Sequence, residues 1–140
     1  MSHQRTLIRN KIKDLLKGTS PSYNTSADDR VYTNRTNIKK VLPQINIYDE
    51  TESATNRDIS RINYIKTLLV KIDITVEANT NYDVLLDDVC KEVEDILKLN
   101  PQLGGLSHSC IYLGTEMNHE AGGEKPISQA ILSFEIKYLT

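Results

Sequence analysis

Leu68–Ala78, read L-L-V-K-I-D-I-T-V-E-A, is the stretch whose pattern decides the fold. Its even positions are Leu68, Val70, Ile72, Ile74, Val76 and Ala78; its odd positions include Lys71, Asp73, Thr75 and Glu77. Side chains alternate across a strand, so the pattern predicts a long β-strand with one buried face and one polar face. A one-sided strand must bury that face against a second layer. The closing stretch, about 127–139, repeats the pattern, with Ala130, Leu132, Phe134, Ile136 and Tyr138 set against Gln129, Ser133, Glu135 and Lys137. Two further strands are predicted at about 44–49, just after Pro43, and at about 109–118, with Ile111, Leu113 and Met117 on one face. Proline is tolerated at the first of these because it stands at the strand's start, where no ladder donor is required.

Two amphipathic helices supply the second layer. Over 3–17, Ile8, Ile12, Leu15 and Leu16, with Leu7 beside them, follow helical spacing, with Ser2 as the expected N-cap and Gly18 as the stop. Over 82–98 the stripe is Leu85, Leu86, Val89, Val93, Ile96 and Leu97. There Thr80-Asn81-Tyr82-Asp83 resembles a capping box and Asn100-Pro101 ends the helix. The order is α-β-β-α-β-β. The predicted fold class is α+β: a mostly antiparallel four-stranded sheet with both helices on its apolar face. The opposite face, with Lys71, Asp73, Glu135 and Lys137, is expected to meet water or a polar partner.

The 140 residues fit one domain, 1–140, whose core needs neither disulfide nor metal. The polar segment 18–30 is expected to be a flexible loop, 49–61 a charged connection, and 119–126 a projecting hairpin loop. With 17 basic and 19 acidic residues, a net charge of −2 argues against a dedicated duplex-DNA binder. The charge is nevertheless polarised. The first helix carries Arg5, Arg9, Lys11, Lys13 and Lys17 against Asp14, and the second carries Asp83, Asp87, Asp88, Glu92, Glu94 and Asp95 against Lys91 and Lys98. Such polarity can steer copies head to tail. Cys90 and Cys110 make no disulfide framework and are expected as buried or half-buried free thiols. The first ten residues hold no signal-peptide core, and no apolar run nears the ~20 residues of a membrane span, so the expectation is a soluble cytosolic product.

The familiar chemistries find no pattern. His108, Cys110, His119 and Glu120 flank one strand but lack metal-ligand spacing. Ser107-His108-Ser109 are neighbours on an extended chain and point apart. Gly104-Gly105 and Gly122-Gly123 follow no phosphate-binding motif. Phe134 and Tyr138 alternate with the buried set, whereas RNA-recognition sheets expose their aromatics. No catalytic residue, cofactor or metal is expected.

One ordered set of motifs does point to a function. V-Y-x-x-R (Val31, Tyr32, Arg35) precedes L-P-x-I-x-I-Y (Leu42 to Tyr48), then I-D-I-T-V-E (Ile72 to Glu77), an acidic D-x-x-x-x-x-V helix (Asp83 to Val89), L-G-G (Leu103 to Gly105) and the closing I-L-S-F-E-I-K-Y (Ile131 to Tyr138). In this order the motifs resemble the tail terminator proteins of long-tailed bacteriophages. The resemblance implies a structural virion protein and no enzyme. It implies a homohexameric ring that caps the tail tube, ends tail polymerisation and offers a surface for head–tail joining. The implied partners are other copies of the chain, the tail tube protein and a head–tail connector protein, with DNA passing through the lumen unread and no membrane contact. The implied location is the head-proximal end of the virion tail, after assembly in the host cytoplasm. The residues expected at interfaces are Val31, Tyr32, Arg35, Glu50, Glu52, Arg57, His119 and Glu120. Arginine suits that role because its planar fork makes paired hydrogen bonds to carboxylates or carbonyls. The alternatives are another head–tail connector or neck subunit, or a small α+β binding module unrelated to phage.

Overall fold

The computed structural model describes residues 3–19, 22–23, 25, 27, 30–33, 43–56, 64–77, 82–120 and 127–139. Helix α1 (Gln4–Lys17) forms around the four-residue recurrence of Ile8, Ile12 and Leu16, all fully buried. Its N-cap is His3, whose Nδ1 accepts the Arg5 N–H at 3.1 Å, and not the expected Ser2. The imidazole of an extended residue reaches the second helical N–H as a hydroxyl would. Gly18 closes the helix at φ +70°, its N–H donating to the Asp14 carbonyl.

Two short pairs follow. Strands β1 (Gly18–Thr19) and β2 (Ser22–Tyr23) form an antiparallel hairpin. β3 (Val31–Tyr32) then lies parallel to β4 (Gln44–Asn56). β5 (Tyr64–Glu77), β6 (Ser109–Glu120) and β7 (Ile127–Leu139) complete a five-stranded sheet of order β3-β4-β5-β7-β6. Helix α2 (Tyr82–Leu99) carries the chain from β5 towards β6. It buries Leu86, Val89, Cys90, Val93 and Leu97, and ends where Asn100 Nδ2 donates to the Ile96 carbonyl at 2.8 Å. The expected capping residues Thr80 and Asn81 lie outside the described residues.

The α+β class and the two helices are as expected, but the sheet is five-stranded and mixed, not four-stranded and antiparallel. The extra strand, Val31–Tyr32, is too short to show a period, and its partners Ile45 and Asn46 belong to the next strand of the chain, lying parallel to it. The segment 18–30, expected as a flexible loop, contains the hairpin and the buried residues Thr25 and Ala27. The connection expected from 49 is strand as far as Asn56, since Ser53, Ala54 and Thr55 pair with Thr67, Lys66 and Ile65. Polar side chains on both faces hid this extension.

Helix α1 packs over β3 and β4, and α2 over β5 and β7. Their apolar stripes join Leu68, Val70, Ile72, Ile74 and Val76 of β5, the even-numbered residues from Ala130 to Tyr138 of β7, and Ile45 and Ile47 of β4 in one core. The opposite face departs from expectation at one end: Asp73 and Thr75 are buried, at 6% and 0% exposure. Asp73 is held there by Thr75 Oγ1 at 3.2 Å and Gln129 Nε2 at 2.7 Å, which offsets the loss of water. Lys71 and Glu135 keep the expected outward position, Lys71 donating to Ser133 Oγ at 2.7 Å.

After α2 the chain reverses through a short 3-10 helix, Leu103–Gly105. Gly104 sits at φ +67°, and a Cβ there would stand 3.0 Å from Lys11 Cε. Gly104→Ala should therefore cost about 1 kcal/mol, nearly all of it backbone strain, because the Lys11 tip can swing aside. A thermal midpoint equal to wild type would show that the turn relaxes.

Candidate functional site

Two surfaces stand out, at opposite edges of the sheet. The first is a cleft of about 470 Å³ between the N-terminal half of α1 and the middle of β4, lined by His3, Arg5, Thr6, Arg9, Asp49 and Glu52 among others. A β-bulge builds it. The register of β4 against β5 slips between Asp49, paired with Val70, and Thr51, paired with Leu69. Strict alternation would send Asp49 and Glu52 to opposite faces; the extra residue sends both towards α1 and leaves Glu50 on the other side. There Glu50 meets Lys71 at 3.4 Å.

On the helix side, Arg5 and Arg9 stand one turn apart and each takes one carboxylate. Arg5 Nη1 lies 3.1 Å from Glu52 Oε2, and Arg9 donates to Asp49 Oδ2 and at 3.3 Å to Thr6 Oγ1. Tyr138 of β7 donates its hydroxyl to the other oxygen of Glu52. Burial raises the Asp49 carboxyl above its ordinary value of 3.8, outweighing the opposing pull of Arg9. Burial and the bond to Glu52 together push the Tyr138 hydroxyl well above its ordinary value of 10. The arrangement ties α1 to the sheet edge through charge. Among the described residues, no group of three His, Cys, Asp or Glu side chains could hold a metal ion.

The second surface is β6, the last strand of the order. Ile111, Tyr112, Leu113 and Met117 are 49%, 44%, 53% and 63% exposed. The expectation that Ile111, Leu113 and Met117 share one buried face fails for two reasons. A second bulge between Tyr112 and Gly114 breaks the alternation, so Ile111 pairs with outward Glu135 while Met117 pairs with buried Ala130. In addition α2 lies mainly over β5 and β7 and leaves most of β6 uncovered. Beside α2 this leaves an apolar trough of about 200 Å³ lined by Glu94, Leu97, Lys98, Cys110, Tyr112 and Phe134. Tyr112 and Phe134 pack there with ring centroids 5.5 Å apart. Cys110 is a half-buried thiol raised by burial to about 11, so it is an inert packing group.

The residues expected at interfaces do not form one cluster. Glu52 lines the cleft with its carboxylate, while Glu50 borders it and turns its own carboxylate to Lys71 on the other face. Val31 is a core residue at 1% exposure, and Tyr32 is exposed on the short edge strand. His119 and Glu120 end β6 at the far end of the opposite edge. Arg35 and Arg57 lie outside the described residues. Sequence reasoning missed Arg5, Arg9 and Asp49 as a unit, although the spacing of the two arginines on α1 was visible; the bulge that supplies their partners was not. No family model matches the chain, and no curated protein matches it either. Among the described residues no helix is long and apolar enough to cross a membrane.

Proposed function

We propose that the protein is a ring-forming tail terminator of a long-tailed bacteriophage, a structural virion protein that caps the tail tube and ends its polymerisation. The observation that carries the reading is edge strand β6, twelve residues long and rich in exposed apolar side chains. Natural proteins blunt or cover such edges unless another chain docks on them. The ordered motifs from Val31 to Tyr138 supply the rest of the support. In this reading the chain forms a homohexamer that meets the tail tube protein on one side and the head–tail connector protein on the other. DNA passes through the lumen without being read. The ring occupies the head-proximal end of the tail after assembly in the host cytoplasm, and no cofactor or reaction is involved.

The test is assembly of the parent phage without this protein. Tail tubes of uncontrolled length are the expected result. Tails of normal length that fail to join heads would assign the chain to another neck or connector subunit. A protein that stays monomeric beside purified tail tubes and leaves their length unchanged would be a small binding module of another kind.

A further inference from the structure

The sheet is bare along one edge and partly bare along the other. β6 ends the strand order, and no strand pairs with its outer side among the described residues. At the opposite edge β3 pairs only with Ile45 and Asn46, so residues 50–56 of β4 have no outer strand among the described residues. The helix layer leaves the same gap. Helices pack ~8–10 Å apart and strands ~4.8 Å apart, so one helix covers about two strands. α1 covers β3 and β4, α2 covers mainly β5 and β7, and β6 is the strand left over. On its helix side Tyr112 and Met117 stay 44% and 63% exposed, although their partners Phe134 and Ala130 are buried. α1 reaches past β4 to β3 and so overhangs the partly bare edge, tied down by Arg5 on Glu52 and Arg9 on Asp49.

We infer that β6 of one copy pairs with residues 50–56 of β4 in the next, so that the sheet runs on from protomer to protomer. The inference rests on the ring reading and gives it a specific contact. Its ground is that each copy carries both the bare strand and the element that covers it. β4, β5, β7 and β6 alternate in direction, so β6 runs opposite to β4. A cyclic repeat that keeps the helices on one side of the sheet also keeps the strand directions, and β4 of the next copy arrives antiparallel to β6. Its α1 arrives with it and lies over Tyr112 and Met117. Seven paired residues at ~3.3 Å each span ~23 Å, and a sheet with one helix layer is roughly 20 Å deep, so the contact buries roughly 900 Å² over both partners. That is close to the ~1,000 Å² of a specific interface, and the backbone hydrogen bonds of an added strand supplement it. The two edges differ, so the contact is heterologous and closes into a ring or grows as a filament.

The experiment uses full-length variants, with thermal unfolding of each to show an intact fold. Leu113→Lys/Met117→Lys puts two charges on exposed positions of β6, which blunts an edge strand. Sedimentation over a concentration series should show this variant self-associating at least tenfold more weakly than wild type. Ile111→Cys and Ser53→Cys, both at exposed positions on the face opposite the helices, then locate the partner strand with a short bismaleimide crosslinker. The native thiols are buried or half-buried and raised to about 11, and wild type serves as the blank. An equimolar mixture of the two cysteine variants should yield crosslinked dimers, and neither variant alone should. Crosslinking of Ile111→Cys by itself would set β6 against β6 and overturn the inference in favour of a two-fold pair. Wild-type association by the lysine variant, a mixture that does not crosslink, or a wild-type protein monomeric at every concentration would also overturn it. The tail-length test of the ring reading is independent of all these outcomes.

Discussion

Val70→Asp should abolish the cooperative unfolding transition or lower its midpoint by roughly 15 °C or more. Val70 is fully buried at the centre of β5, between Asp49 of β4 and Phe134 of β7. A carboxyl there loses its water, and the nearby guanidinium, Arg9, is already engaged by Asp49. The cost, about 4 kcal/mol or more, is a large part of the ~5–15 kcal/mol that holds a domain of this size together. The new group would also stand beside Asp49, whose own carboxyl is already raised by burial. Two controls separate charge from volume and from strand propensity. Val70→Ala should lose only about 2 kcal/mol, the transfer and cavity cost of the missing methyl groups. Thr67→Asp, three residues away on the opposite face and paired with Lys137, should change stability by less than about 1 kcal/mol. Calorimetry of the three variants decides the matter: a Val70→Asp protein that unfolds like Thr67→Asp would place the buried face on the wrong side of β5.

This contrast also marks how far the fold was legible in the sequence. Wherever one face is apolar and the other polar over many residues, as in β5 and β7, the alternation fixed both the element and its inward set. The two helices were legible for the same reason. Elements lacking a period were not: β3 is only Val31–Tyr32, and the second half of β4 is polar on both faces. Polarity also misled at Asp73 and Thr75. Composition placed them at the surface, but hydrogen bonds from Thr75 and Gln129 satisfy Asp73 without water. On β6 the error ran the other way. Ile111, Leu113 and Met117 read as a core stripe because apolar residues usually mark an inside, and nothing local to the strand reveals how far α2 reaches.

The bulges explain why the surfaces were harder to read than the core. One inserted residue in β4 brings Asp49 and Glu52 together under Arg9 and Arg5, and one in β6 splits Ile111 from Met117. A register slip carries no reliable mark in a single strand, since it depends on where the partner strand's apolar residues must stay. The charge polarity of the two helices was visible from the outset. The structure adds that Arg5 and Arg9 of α1 stand beside Glu52 and Asp49, whereas Glu94 and Lys98 of α2 both line the trough beside Tyr112.

Arg9→Met should destabilise the protein by roughly 2 kcal/mol near neutral pH, with a deficit that shrinks in acid. Methionine keeps most of the stem's packing and removes the charge, so Asp49 loses the guanidinium that offsets its burial. The sign of the pH dependence follows from the direction of the shift. The folded-state pKa of Asp49 lies above its ordinary 3.8, so the folded form favours the protonated carboxyl. That contribution is fully present below 3.8 and is lost as pH rises through the folded value. Without Arg9 the folded value climbs further, so more stability is lost over a wider span above 3.8. Denaturant titrations from acid to neutral pH should therefore show wild type and Arg9→Met converging at the acid end and separating as pH rises. The double variant Arg9→Met/Asp49→Leu should recover most of the loss and show the weaker pH dependence, because replacing a buried ion pair with apolar groups of similar size is often nearly neutral. A deficit that is constant across pH, or one that the double variant does not repair, would mean that Arg9 acts by packing against Thr6 and β4 and not through the Asp49 carboxylate.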